Sequence, residues 1–327
     1  MKRCATLLVC VLLSCGRGHK DTLTLYTSLD SQEAPVYIKA FEDDTGVRVN
    51  LVRLSAGEAL ARLEAEKRNP QVSVWFGGPA PEYIVAAQRG LLEPFEPQLE
   101  HTLSPTMRGA GWEWTGFYFG VIGFACNDNF LRTHNVECPD SWAGLLEPAF
   151  KGQISLAYPY TSGTAYITLV SLLELSNEAA GWEYVRKLDE QVHRYNSSGS
   201  AAVTQVGLGE VAVGIAFAHD ILKKGKASGY PVKLSIPREG TASEIGAVAL
   251  IKGGPQTELG KRFITWLHGE RAQNLLAQFY RVPLNPRAQV GEGSIREADV
   301  KLIDYDPLEA AARQKEILAR WRQVTRR

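Results

Sequence analysis

The chain is 327 residues long, carries 36 Lys+Arg against 36 Asp+Glu, and contains five cysteines. This length suits two domains of roughly 150 residues each, balanced charge without a basic block argues against a nucleic-acid ligand, and so few cysteines cannot staple a disulfide scaffold. At 45% hydrophobic and 22% charged the composition is ordinarily globular, and no apolar run reaches the roughly 18 residues of a spanning helix.

Met1-Lys2-Arg3 followed by the apolar Ala5 to Leu13 reads as a secretory signal. It ends in Leu12-Leu13-Ser14-Cys15 before the polar Gly16 to Asp21, which looks like a bacterial lipobox; a plain signal peptide that happens to contain cysteine is the alternative. Residues 1–20 are therefore expected to be a lipoprotein signal peptide and tether, with a lipid on Cys15 as the only attachment to the membrane. Cleavage would remove Lys2 and Arg3 and leave 34 basic against 36 acidic side chains. Cys126 and Cys138 would then remain, twelve positions apart in a compartment that can oxidise them. A disulfide between them is expected, with two buried thiols as the alternative.

The next elements alternate. Thr22 to Tyr26 reads as a strand, Ala34 to Asp43 as a helix ended by Thr45-Gly46, Val47 to Val52 as a strand and Ser55 to Lys67 as a helix. Val72 to Phe76 is a strand stopped by Gly77-Gly78-Pro79, and Glu82 to Arg89 a helix closed at Gly90. This β-α-β-α-β-α order predicts a parallel, doubly wound sheet. Tyr118 to Cys126 is a long apolar strand, and Trp142 to Leu146 a short helix. Strands at Gln153–Ala157, Val192–Tyr195 and Val211–Phe217, with helices at Ser162–Leu175, Ala180–Leu188 and Ser200–Leu208, form a second α/β unit. Strands Lys233–Ile236 and Gly246–Ile251, helices Thr257–Gly269 and Ala272–Ala277, and an amphipathic helix Leu308–Gln323 complete the chain.

Ligands of open α/β sheets lie beyond the carboxyl ends of the strands, so the polar residues there are the candidates. They are Ser28 and Asp30, Ser55, Gly77 and Gly78, then Thr161-Ser162-Gly163-Thr164, Ser197-Ser198-Gly199-Ser200 and His219-Asp220, with Glu244 just before a strand. Hydroxyl and glycine turns that open helices offer free N–H groups and hydroxyls to a phosphate or similar anion, using helix ends in place of lysines. Ordinary N-capping uses the same residues. His219, Asp220 and Glu244 would repel a bare phosphate and would suit a ligand that also carries hydroxyls or an amine. A core histidine and an N-cap at Asp220 are the structural alternatives. Trp112, Trp114, Phe117, Tyr118 and Phe119 read as core. No nucleotide loop, nucleophile elbow, metalloprotease or zinc spacing occurs, so no cofactor, resident metal or enzymatic activity is expected.

Leu25-Tyr26-Thr27-Ser28, Ala40 to Gly46, Asn69 to Gly78 (NPQVSVWFGG), Ser141 to Leu146, Thr161 to Tyr166 (TSGTAY) and Tyr280 to Pro286 (YRVPLNP) together resemble the periplasmic solute-binding proteins of bacterial ABC importers. The relevant subgroup includes ferric-ion, thiamine, 2-aminoethylphosphonate and hexose-phosphate binders. The resemblance implies a two-lobed, type II fold: two doubly wound sheets joined by a crossing-strand hinge. Lobe 1 would span 21–118 and 238–285, and lobe 2 would span 119–237 and 286–327. It also implies a monomer in the periplasm, an inner-membrane ABC permease as partner, and a non-catalytic role. The adjacent tyrosines of the ferric binders are replaced here by Ala218-His219-Asp220, which discounts iron. His219, Asp220 and Glu244 are similar to the sugar contacts of the hexose-phosphate-binding member, whose hydroxyl turns hold the phosphate. The sequence thus implies a sugar-phosphate carrier with Ser28, Ser55, Gly77, Gly78, Thr161, Ser162, Gly163, Thr164, Ser198, His219, Asp220 and Glu244 at its site. Ferric ion, 2-aminoethylphosphonate and thiamine are the alternative ligands.

Overall fold

A computed structural model describes residues 22–327; the signal segment and Cys15 lie outside the described residues. The chain opens with β1 (Thr22–Thr27), α1 (Ala34–Thr45), β2 (Arg48–Arg53), α2 (Ala56–Ala65), β3 (Val74–Pro79) and α3 (Ala80–Gln88). Leu23 and Leu25 of β1 are fully buried while Thr22 and Thr24 are half-buried, the period-two pattern of a strand against a core. Tyr37, Ile38 and Phe41 place the apolar stripe of α1 on the sheet, and Gly46 closes the helix in the left-handed conformation. The third helix starts at Ala80, two residues before the expected Glu82, because Pro81 fits the first turn where no donor is required.

The short β4 (Leu92–Glu93) follows, then the thirteen-residue β5 (Thr115–Asn127), buried along its whole length. After α4 (Asp128–His134) come β6 (Ile154–Ala157), α5 (Gly163–Glu174), α6 (Glu178–Gln191), β7 (Val192–Asn196), α7 (Gly199–Gly207), β8 (Val213–Phe217) and α8 (Ala218–Ala227). The chain ends through β9 (Val232–Ser235), β10 (Ser243–Ile251), α9 (Thr257–Leu267), α10 (Glu270–Asn274), β11 (Val282–Pro283) and α11 (Pro307–Thr325). No helix among the described residues is long and apolar enough to cross a membrane.

The strand order is β2-β1-β3-β10-β5-β8-β6-β7, with β4, β9 and β11 attached at the side. The sheet is parallel only within β2-β1-β3 and β8-β6-β7. In place of an all-parallel arrangement, β10 runs antiparallel to β3 and β5, and β5 antiparallel to β8. The first half of β5 pairs with β10 and β11, and its second half with β8 and β9, so one strand belongs to both halves of the sheet. Separate apolar cores flank the two halves: one is built around Phe41, Phe76 and Phe263, another around Phe124, Trp142 and Tyr166. Helix α11 touches both, through Ala311 on the first half and Ala310, Ile317 and Trp321 on the second.

Cys126 and Cys138 form a disulfide, Cα to Cα 5.8 Å, that ties the end of β5 to the segment after α4. Alkylation of unreduced protein should therefore find neither thiol free by mass spectrometry. For a loop of this size Cys138→Ala should lower the unfolding free energy in urea by about 3 kcal/mol.

Glu82, in the first turn of α3, is 1% exposed and has no cationic partner among the described residues, where its Oε2 makes no hydrogen bond. Burial pushes its pKa from 4.5 up to about 8. The native protein therefore holds a proton that the unfolded chain releases between those two values. This contribution to stability is complete below pH 4.5 and is lost as pH rises toward 8. In urea titrations across that window, Glu82→Gln should remove about 1.4 kcal/mol per pH unit of the decline.

Candidate functional site

The carboxyl ends of the parallel strands in both halves face one another across a cleft. It holds about 430 Å³ of empty space, the solvent at its mouth included. Three helices, α2, α5 and α7, begin at this cleft and bring to it their N-terminal ends, where first-turn N–H groups have no partner within the helix.

Ser28, Ser55 and Gly78 line the first wall. The Trp75 indole N–H donates to Ser28 Oγ at 3.0 Å, which leaves the Ser28 proton free to donate in turn. Ser55 Oγ is buried and has no partner, while the Ser55 N–H donates to Glu58 at the start of α2. The second wall carries Ser162, Gly163 and Thr164 from α5 and Ser198, Gly199 and Ser200 from α7. Two expected residues are not on the surface of the cleft. Gly77 sits behind it, with φ of 82° and the Leu29 side chain where a Cβ would be. Thr161 uses its carbonyl to accept from Gly57 N–H and its hydroxyl to donate to Tyr158.

His219 and Asp220 come from the first turn of α8, and Glu244 from β10, where it stands opposite Gly120 of β5. The helix begins at Ala218, so Asp220 lies inside its first turn and is not the N-cap. Glycine at 120 makes room: a Cβ there would approach His219 Nδ1 to 2.7 Å. His219 Nε2 is 3.8 Å from Asp220 and 3.7 Å from Glu244.

A buried guanidinium organises this group. Arg281 donates twice to Glu33, at 2.7 and 3.0 Å, and lies 3.5 Å from Glu244 and 4.1 Å above the Tyr118 ring. Its Nη1 is 2.7 Å from His219 Nε2. Since guanidinium can only donate, Nε2 is the acceptor and the imidazole proton sits on Nδ1, which has no partner. Burial, reinforced by Arg281, holds the His219 pKa well below 6.5, so the ring is neutral. Burial alone would raise the Asp220 pKa, but Lys223 at 3.3 Å and the neighbouring cations hold it below the usual range. Glu244 is pushed up to about 8 by burial against the opposing pull of Arg281, and its Oε2 is unpartnered.

The expectation that helix ends replace basic side chains is corrected by these residues. Arg53 and Arg281 line the cleft, with Lys223 and Lys224 beside it. Lys223, Lys224 and Arg281 each have a carboxylate within 4.0 Å. Arg53 differs: it donates to Ser198 Oγ at 2.8 Å and to the Leu29 carbonyl at 3.3 Å, and has no carboxylate partner among the described residues. Arg281 was visible in YRVPLNP, but nothing local marks its partners, which are 62 and 248 positions away.

Residues 85–310 match the family of bacterial extracellular solute-binding proteins. An uncharacterised Haemophilus influenzae protein is 30% identical over 93% of this chain and 90% of its own length. The putative 2-aminoethylphosphonate-binding periplasmic protein of Salmonella typhimurium is 26% identical over 85% of this chain and 83% of its own. The structure of the periplasmic binding protein AfuA from Actinobacillus pleuropneumoniae, with exogenous fructose 6-phosphate bound, superposes with a TM-score of 0.89 at 28% identity. That match covers 93% of this chain and 98% of the other, and makes the fold that of the type II periplasmic binding proteins. This chain belongs to the bacterial extracellular solute-binding protein family.

Proposed function

We propose that this protein captures a hexose phosphate between its lobes and delivers it to the permease of an ABC importer. One observation carries the reading. A single cleft combines hydroxyl-rich helix starts and the carboxylate-free Arg53 with a buried His219–Asp220–Glu244 group whose Glu244 Oε2 and His219 Nδ1 have no partners. In this reading the phosphate lies on Ser28, Ser55, Ser162, Gly163, Thr164, Ser198 and Arg53. The sugar hydroxyls reach Asp220, Glu244 and His219. The likeness to AfuA, seen with fructose 6-phosphate, supports the same assignment. The carrier works as a monomer in the periplasm, tethered through a lipid on Cys15. Lobe 1 comprises residues 21–118 and 238–285, lobe 2 residues 119–237 and 286–327, and they close by rotation about the shared strands. No step of chemistry is required.

2-Aminoethylphosphonate is the second reading, favoured by the Salmonella relative: its phosphonate would take the same anion end and its amine would face Asp220. Ferric ion fits poorly, because Arg281 occupies His219 Nε2 and adds a fixed positive charge to the cleft. Thiamine would put its cationic ring beside that same guanidinium.

Thermal shift of the purified protein against glucose 6-phosphate, fructose 6-phosphate, 2-aminoethylphosphonate, thiamine and ferric citrate tests the proposal. A ligand at 100 times its Kd adds about 2.7 kcal/mol. A shift with a hexose phosphate is expected, and a shift with any other compound alone overturns it. Asp220→Ala and Glu244→Ala should each weaken sugar-phosphate binding by calorimetry about tenfold or more, while sparing inorganic phosphate. Arg53→Ala should weaken both. Equal loss of both ligands in the Asp220 and Glu244 variants contradicts the division of roles, and release of inorganic phosphate over time would point to an enzyme.

A further inference from the structure

The walls of the cleft also touch at a place where no cleft-lining side chain is involved. Gly57, the second residue of α2, packs against the turn that precedes α5 in the opposite wall. A Cβ on Gly57 would lie 2.5 Å from the Tyr160 carbonyl oxygen and 3.0 Å from Thr161 Cα, closer than any real side chain is accommodated. The Gly57 N–H donates to the Thr161 carbonyl at 3.0 Å. N–H groups in the first turn of a helix have no partner inside that helix, so this bond exists only while the two walls are together. The contact is reciprocated. Gly163, the first residue of α5, faces Pro79 at the end of β3, where a Cβ would come within 2.4 Å of the proline ring. Arg53 crosses the same gap to Ser198.

Gly57 has helical backbone torsions, so its own conformation does not call for glycine. At such a position alanine favours the helix and restricts the unfolded chain. What glycine provides here is the close approach of the opposite backbone. We infer that Gly57 determines lobe closure: the missing Cβ and the N–H of this residue form a backbone latch with Tyr160-Thr161 that sets how far the lobes close, whichever ligand lies between them. The latch sits outside the ligand-contacting surface. It therefore governs the population of the closed form and leaves selectivity to the cleft residues.

The first test needs no ligand. In amide hydrogen exchange of the ¹⁵N-labelled protein, Gly57 should exchange about tenfold or more slowly than an unbonded amide. Exchange at the unprotected rate overturns the latch. The second uses Gly57→Ala. The ligand-free variant should melt at the wild-type temperature or above. With fructose 6-phosphate it should bind about tenfold or more weakly, since the apparent Kd rises as the competent fraction falls. Small-angle scattering of the saturated variant should give a larger radius of gyration than wild type. The same factor should apply to every compound the wild type binds. Wild-type affinity with an unchanged radius overturns the inference, as does a loss confined to one ligand. If the wild type does not bind fructose 6-phosphate, the ligand assignment fails, and the exchange rate at Gly57 still decides the latch.

Discussion

The site depends on one buried cation. Arg281 is 3% exposed, and its donors are divided among Glu33, which is fully buried, the acceptor nitrogen of His219 and the carboxylate of Glu244. Taking a guanidinium out of water costs several kcal/mol, and only the paired carboxylate offsets it. Removing Arg281 would strip the fully buried Glu33 of both its hydrogen-bonded donors and leave it only Lys223, 3.9 Å away, as a cationic neighbour among the described residues. The Arg281 contact also fixes the tautomer of His219, with its proton on Nδ1. Stability and recognition are therefore held by the same atoms. Four separate parts of the chain (the turn before α1, the α8 start, β10 and the segment around β11) cannot form the group until all are in place.

Much of the fold was legible because it is local. The alternation of Thr22 to Tyr26, the Tyr37–Phe41 stripe and the Gly46 stop each carry their meaning within a few residues. The hydroxyl turns at Ser162-Gly163-Thr164 and Ser198-Gly199 were legible for the same reason, since a helix start is written in its first residues. His219, Asp220 and Glu244 were less so: spacing left them open between core and ligand, and the family resemblance singled them out. The direction of β10 was not legible, because an apolar run such as Gly246 to Ile251 reads alike whether it runs with or against its neighbours. The start of β5 was hidden in Thr115-Gly116-Phe117, where glycine suggests a turn but in fact makes room for Ile245. Helix α8 was hard to read because it is short, its large apolar residues are only Ile221 and Leu222, and Gly225 interrupts it.

Charge was the larger gap. Arg53 ends a half-exposed strand and looks like an ordinary surface residue; only the tertiary structure shows that it faces the cleft without a carboxylate. Whole-chain neutrality concealed this. The cleft region gathers four basic side chains and the acids Asp30, Glu33, Asp220 and Glu244 within a few ångströms of one another, and the Glu244 carboxyl is pushed toward its neutral form. A balance of zero over 327 residues therefore says nothing about the field at one site.

Helix α11 bridges the two halves of the sheet. Its Ala310 and Ala311 stand side by side yet belong to cores on different lobes, and the Tyr166 hydroxyl donates to the Ala310 carbonyl from α5. Farther along, Trp321 is wedged among Tyr158, Tyr160 and Tyr195 of the second lobe. The far end of the helix is thus fixed to the second half of the sheet, while the helix also packs along α3 of the first. Any swing of the two halves apart would therefore have to shift the α3–α11 interface as well as bend the shared strand β5.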